Sequence, residues 1–122
     1  MMYTIIKSMK SFKYAFRGLY LLYKHEHNIR IHLVASVVAI GLGFVLKITT
    51  FQWYLIILCI GFVLTAEAMN SAIEKLVDHI SPEENEWAGR IKDLSAAGVL
   101  LAALGAAIVG VIIFIPKLIS LL

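Results

Sequence analysis

Glu67, Asn70, Glu74 and Asp78 interrupt the stretch 64–80 (LTAEAMNSAIEKLVDHI), which begins as the tail of an apolar run. On a helix of ~3.6 residues per turn the three carboxylates fall within roughly 40° of one another, with Asn70 about 60° to one side. Ile73, Leu76 and Val77 take the other faces. Carboxylates at the end of a membrane span are costly and are usually kept for ion, proton or phosphate chemistry. Partly withdrawn from water, Glu67 could act as a general base and take a proton from a hydroxyl. A glutamate solvated by headgroup water is the plainer alternative. Asn70, one turn on, could orient a substrate or hold that carboxylate, or it could bond to a neighbouring helix. Glu74 together with Glu26 offers the one or two carboxylates that Mg²⁺ takes while keeping sites for phosphate oxygens and water. Alone, beside Lys75, Glu74 would be an ordinary solvated residue. Lys92 could offset charge on a transferring phosphoryl group, or it could snorkel from the start of a span. Asp78 reads as a cap or as a salt bridge between helices.

The elements that must position these groups follow from composition. The chain has 122 residues, 61% of them hydrophobic, which is the composition of a single membrane-embedded domain. Ile5, Met9, Phe12, Phe16, Leu19 and Tyr23 form one helical stripe, with Lys7, Lys10, Lys13, Arg17 and Lys24 on the flank and far side. That pattern predicts an amphipathic helix over about 3–27, lying on the bilayer surface. Uncharged runs then predict three transmembrane helices, over about 28–46, 51–80 and 82–116, with Trp53 and Tyr54 as interface anchors. The fold class is all-α. Six of the eleven basic residues precede the first run, and all eight acidic residues lie in that leading segment or between Glu67 and Asp93. This bias puts the N-terminus and the 67–93 segment in the cytoplasm, and it makes nucleic acid a poor partner.

Ser81, Pro82 and Glu84 read as an N-cap, first helical residue and capping-box partner for the third span. The second and third helices then form a cytoplasmic hairpin about a tight turn near Ser81. Counting outward from it places Glu67 and Lys92 at similar depth, with Glu26 at the same level. Gly98, Ala102, Ala106 and Gly110 make a small-residue ridge on the third span. Three helices enclose little space, so an oligomer is expected. Lone Cys59 excludes an internal disulfide and a thiolate metal site. No cleavable signal peptide is visible. The histidines at 25, 27, 32 and 79 lack metal-site spacing and read as interfacial. Neither a Walker A loop nor a protein-kinase signature is present. On residues alone, a lipid-modifying enzyme competes with a small proton-coupled transporter and with a non-catalytic membrane subunit.

The stretch 67–74 (EAMNSAIE), followed by Val77 and Asp78, resembles the E-x-x-N-[ST]-A-[IV]-E-x-x-[VI]-D signature of the prokaryotic diacylglycerol kinase family. The stretch 88–97 (AGRIKDLSAA) is similar to that family's second block, and 12–18 and 25–32 (HEHNIRIH) to its N-terminal blocks. The resemblance implies a homotrimeric integral membrane kinase of the bacterial inner membrane. Its active sites would be shared between subunits at the cytoplasmic face. It would transfer the γ-phosphoryl of Mg-ATP to a membrane lipid hydroxyl. By motif position Glu67 is the catalytic base, Glu26 and Glu74 hold the metal, and Lys92 meets the phosphates. Tyr14, Asp93 and the stretch Glu83, Glu84, Asn85 are on the ATP, while Asn70 and Arg30 shape the lipid side. Where Gram-negative members carry a glutamate two positions after the arginine, this chain has His32 after Arg30. The Ile-Arg-Ile-His form is similar to the Gram-positive branch, which favours undecaprenol over diacylglycerol as acceptor.

Overall fold

The computed structural model describes all 122 residues as four helices and no strand: α1 (Met2–His25), α2 (His27–Val45), α3 (Thr50–Ile80) and α4 (Glu86–Ser120). The last three are long and apolar enough to cross a membrane, and the chain is a membrane protein. Helix α1 lies at the edge of the bundle with every residue except Leu22 exposed, and only the C-terminal end of its stripe, at Leu19 and Tyr23, faces α2 and α3. Helix α3, at 31 residues, is about 46 Å long against a hydrocarbon layer of ~30 Å. Its last turns therefore stand among headgroups and water, and they carry the polar stripe.

The end of the bundle remote from that stripe is the tightest part. Lys47 takes a left-handed conformation (φ 53°), and Thr49 then starts α3. Its hydroxyl accepts from the Gln52 N–H at 3.2 Å, and its own N–H donates to Gln52 Oε1 at 3.0 Å. Ile48, Ile56, Ile113 and Phe114 pack into a small core beneath this corner. Trp53, expected as an interface anchor, instead turns inward: its ring tip lies where a Cβ on Gly43 would be, 2.6 Å away. Tyr54 stays exposed. Because an indole cannot fold away as a flexible chain can, Gly43→Ala should destabilise the protein by about 1–3 kcal/mol. Thermal unfolding in detergent would register this as a lowered midpoint, and an unchanged midpoint would show the corner to be loose.

The connection between α3 and α4 departs from the sequence expectation. Ser81 closes α3, its N–H donating to the Val77 carbonyl at 2.8 Å, and does not open α4. Asn85 is the N-cap of α4, its Oδ1 accepting from the Ala88 N–H at 2.9 Å. The reason is geometric. Two antiparallel helices lie 8–10 Å apart, so a residue finishing one cannot also start the other. Residues 81–85 bridge the gap, tied by the hydroxyl of Ser81, which donates to the Glu83 carbonyl and accepts from the Asn85 amide. At its far end α4 continues through Pro116 to Ser120 and does not stop at 116. Of the small-residue ridge only Ala102 is fully buried, and Gly98 and Gly110 face open space.

Candidate active site

Four polar levels stack along the outer half of α3. Deepest is Glu67, only 3% exposed, whose Oε1 lies 3.2 Å from Nε2 of His32 on α2. One turn up is Asn70, also buried, whose amide nitrogen donates to Glu74 Oε1 at 3.3 Å. A carboxylate can only accept, so this contact fixes which way the Asn70 amide points. Its Oδ1 is then buried without a hydrogen-bond partner. At the next level Glu26 accepts from the Lys75 ammonium at 2.7 Å. Highest is Asp78, ion-paired to Lys92 across the α3–α4 hairpin, as one of the two readings of Asp78 foresaw.

An elbow between α1 and α2 brings Glu26 to Lys75, on the face of α3 next to the one that carries Glu74, and Glu26 makes no hydrogen bond to Glu74 itself. Glu26 is extended (φ −109°, ψ 114°) and breaks the two helices apart. Arg30 locks the break, donating through Nε to the Tyr23 carbonyl at 3.0 Å and through Nη2 to the Lys24 carbonyl at 2.6 Å. Its guanidinium also stands 5.6 Å from the Tyr23 ring centre. A cation on the last carbonyls of α1 satisfies its orphan acceptors and its negative dipole end.

The expected level match of Glu67 with Lys92 is not found. Lys92 meets Asp78, eleven residues or about 16 Å further along α3 than Glu67. The five-residue loop moves the hairpin's centre from Ser81 towards Asn85, and every partner on α4 shifts with it. The charge of Glu74 still reaches Lys92. The hydrogen bond to Asp78 pushes the Lys92 ammonium above its ordinary value, with weaker support from the charges of Asp78, Glu74 and Glu84 against opposing desolvation. Lys92 is thus a firm cation in the segment preceding the apolar run of α4.

The family model described as "Prokaryotic diacylglycerol kinase" matches residues 13–114, which contain all four levels of the column. The chain belongs to that family. It is therefore a lipid kinase, and the transporter and non-catalytic alternatives fall away. It is similar to the undecaprenol kinase of Bacillus subtilis (strain 168), 35% identical over 109 residues covering 89% of each chain. It is also similar to the diacylglycerol kinase of Escherichia coli (strain K12), 34% identical over 100 residues covering 82% of each. The diacylglycerol kinase of Synechocystis sp. is 34% identical over 113 residues, 92% of this chain and 65% of that protein.

The remaining candidate residues of this family member divide into two groups. Glu83, Glu84 and Asn85 line a polar hollow of about 230 Å³ together with Asp78 and Lys92. Tyr14, on α1, and Asp93, on α4, are exposed and make no side-chain hydrogen bond or ion pair to the column in this chain. No three His, Cys, Asp or Glu side chains converge as a metal cage. The oxygen donors nevertheless suit a hard divalent cation. Glu74 has one oxygen engaged by a single neutral amide, and Asn70 Oδ1 is a buried acceptor without a donor. The ion pair holding Glu26 to Lys75 is largely exposed on the lysine side, so releasing Glu26 costs at most ~1 kcal/mol.

His32 is the residue that sequence reasoning missed. It was expected at the interface, yet it is mostly buried against Glu67. The signal was available in the short α2–α3 connection. Glu67 lies seventeen residues after Thr50 and His32 fifteen before Lys47, so an antiparallel pair brings them level.

Proposed function

We propose that this kinase transfers the γ-phosphoryl of ATP to the hydroxyl of undecaprenol, with Glu67 as the base. The observation that carries the proposal is a buried glutamate at the bottom of a polar column, two turns below Glu74 and three below Lys92. In this reading the lipid hydroxyl enters beside Glu67. Its oxygen attacks the γ-phosphorus while Glu67 takes the proton, and the bond to the bridging oxygen breaks to release ADP. Positioning and charge supply most of the acceleration in such transfers. Lys92, at the top of the column, suits the outer phosphates better than the oxygen under attack. The hollow around Glu83 to Asn85 would lie on the nucleotide side, and Tyr14 and Asp93 would reach the nucleotide only from a neighbouring subunit. Asn70 would hold Glu74, and Arg30 would act by fixing the elbow that carries Glu26. Bound at Glu74 and Glu26, Mg²⁺ would neutralise phosphate charge.

The same reading takes the protein as a homotrimer of the bacterial inner membrane, with the N-terminus and the column at the cytoplasmic face. Only 13 of 122 residues are buried within one chain, which supports further helix contacts in an assembly. An apolar cleft of about 250 Å³ runs from His32 between α2, α3 and α4 towards Phe114, a shape that suits a slender hydrocarbon. Undecaprenol is favoured by the Bacillus subtilis relative's name and by the Ile29-Arg30-Ile31-His32 stretch. Diacylglycerol is the second reading, since the relatives of that name are nearly as similar. Purified protein given labelled ATP, Mg²⁺ and either lipid in mixed micelles should label undecaprenol at least about tenfold faster, a gap of ~1.4 kcal/mol in barrier. Preferential labelling of diacylglycerol would reverse the acceptor assignment, and no label in either would overturn both acceptor readings.

A further inference from the structure

We infer that His32 is a positioning residue that holds the Glu67 carboxylate in the orientation it needs to receive the lipid hydroxyl's proton. The inference rests on the reading of Glu67 as the base. Glu67 is 3% exposed, and its one side-chain neighbour of opposite character is His32, Nε2 to Oε1 at 3.2 Å. The two come from different helices, so the contact fixes the carboxylate relative to α2 as well as to α3. The contact is at ion-pair distance without the alignment of a formed hydrogen bond, so a small turn of the imidazole aims an Nε2 hydrogen at Oε1, while no side chain hydrogen-bonds to Oε2. Without that donor, a buried glutamate with three flexible torsions would sample several rotamers. A misplacement of about 1 Å is enough to cost about a hundredfold in rate. The His32 backbone is itself steadied by Ser36, whose hydroxyl donates to the His32 carbonyl at 2.7 Å.

The opposite assignment, in which Glu67 orients His32 and the imidazole takes the proton, uses the same contact. The two differ in what a glutamine at position 32 can do. Its amide nitrogen reaches about as far as Nε2 and can donate to Glu67, but it cannot accept a proton from a hydroxyl. For the full-length protein in detergent–lipid micelles, His32→Gln should keep kcat within about threefold. His32→Leu should lower kcat by about tenfold to a hundredfold, with KM for Mg-ATP and the thermal midpoint unchanged. In the Glu67→Gln background His32→Leu should add no further loss, because it acts only through that carboxylate.

A His32→Gln enzyme as slow as His32→Leu would overturn the positioning role, and so would full additivity in the double variant. Should His32→Leu not fold, His32→Asn replaces it, since its shorter amide cannot reach Glu67. Full turnover by His32→Leu beside an inactive Glu67→Gln would remove His32 alone. Full turnover by Glu67→Gln would instead remove the base on which the inference stands.

Discussion

Glu67→Gln is expected to lower phosphoryl transfer by about 10²–10⁴-fold, the usual contribution of a positioned general base. The substitution keeps the shape of the side chain and leaves an oxygen that can still accept from His32, but it removes the capacity to take a proton. Glu67 is buried, so neutralising it also removes a desolvation burden. The variant should therefore fold, with a thermal midpoint no lower than that of the wild type. Nucleotide affinity, read by equilibrium binding of labelled ATP, should change by less than about twofold, because Lys92 lies three turns away. Turnover at the wild-type rate would take Glu67 out of the chemistry whatever its burial.

The second large effect is expected at Glu74. Glu74→Ala should raise the Mg²⁺ concentration for half-maximal activity by about tenfold or more, measured by titration at saturating ATP. The alanine also strands the Asn70 amide that Glu74 now accepts from, and this loss alone could slow the enzyme. Glu74→Gln separates the two effects, since it preserves an oxygen for Asn70 while weakening the hold on a cation. A glutamine variant with the alanine variant's metal requirement assigns the loss to the metal. A titration unchanged in both would end the case for Glu74 as a ligand.

The polar stripe was legible from periodicity because the face of a helix is a local property. Asp78 as a hairpin salt bridge was equally legible, since its position near the end of α3 left it few other partners. The caps were legible only in part. Ser81 and Pro82 carry a start signal of the ordinary kind, yet α3 consumed Ser81 as its own end and left Asn85 to begin α4. That shift propagated: it moved Lys92 from the level of Glu67 to that of Asp78. Trp53 was misread because an aromatic near a span end suits the interface or a glycine notch equally well. Only the position of Gly43 on the facing helix decided between them.

Apolar run lengths, the distribution of charge and the 3.6-residue repeat set the number of helices, the three spans and the ridge bearing Glu67, Asn70, Glu74 and Asp78. Each of these depends on residues within a few turns of one another. The partners of those residues were decided by the fold, because they follow from loop length and from how closely one helix can approach the next. The corner at Lys47 set His32 against Glu67, the elbow at Glu26 set its carboxylate against Lys75, and the bridge at 81–85 set Lys92 against Asp78.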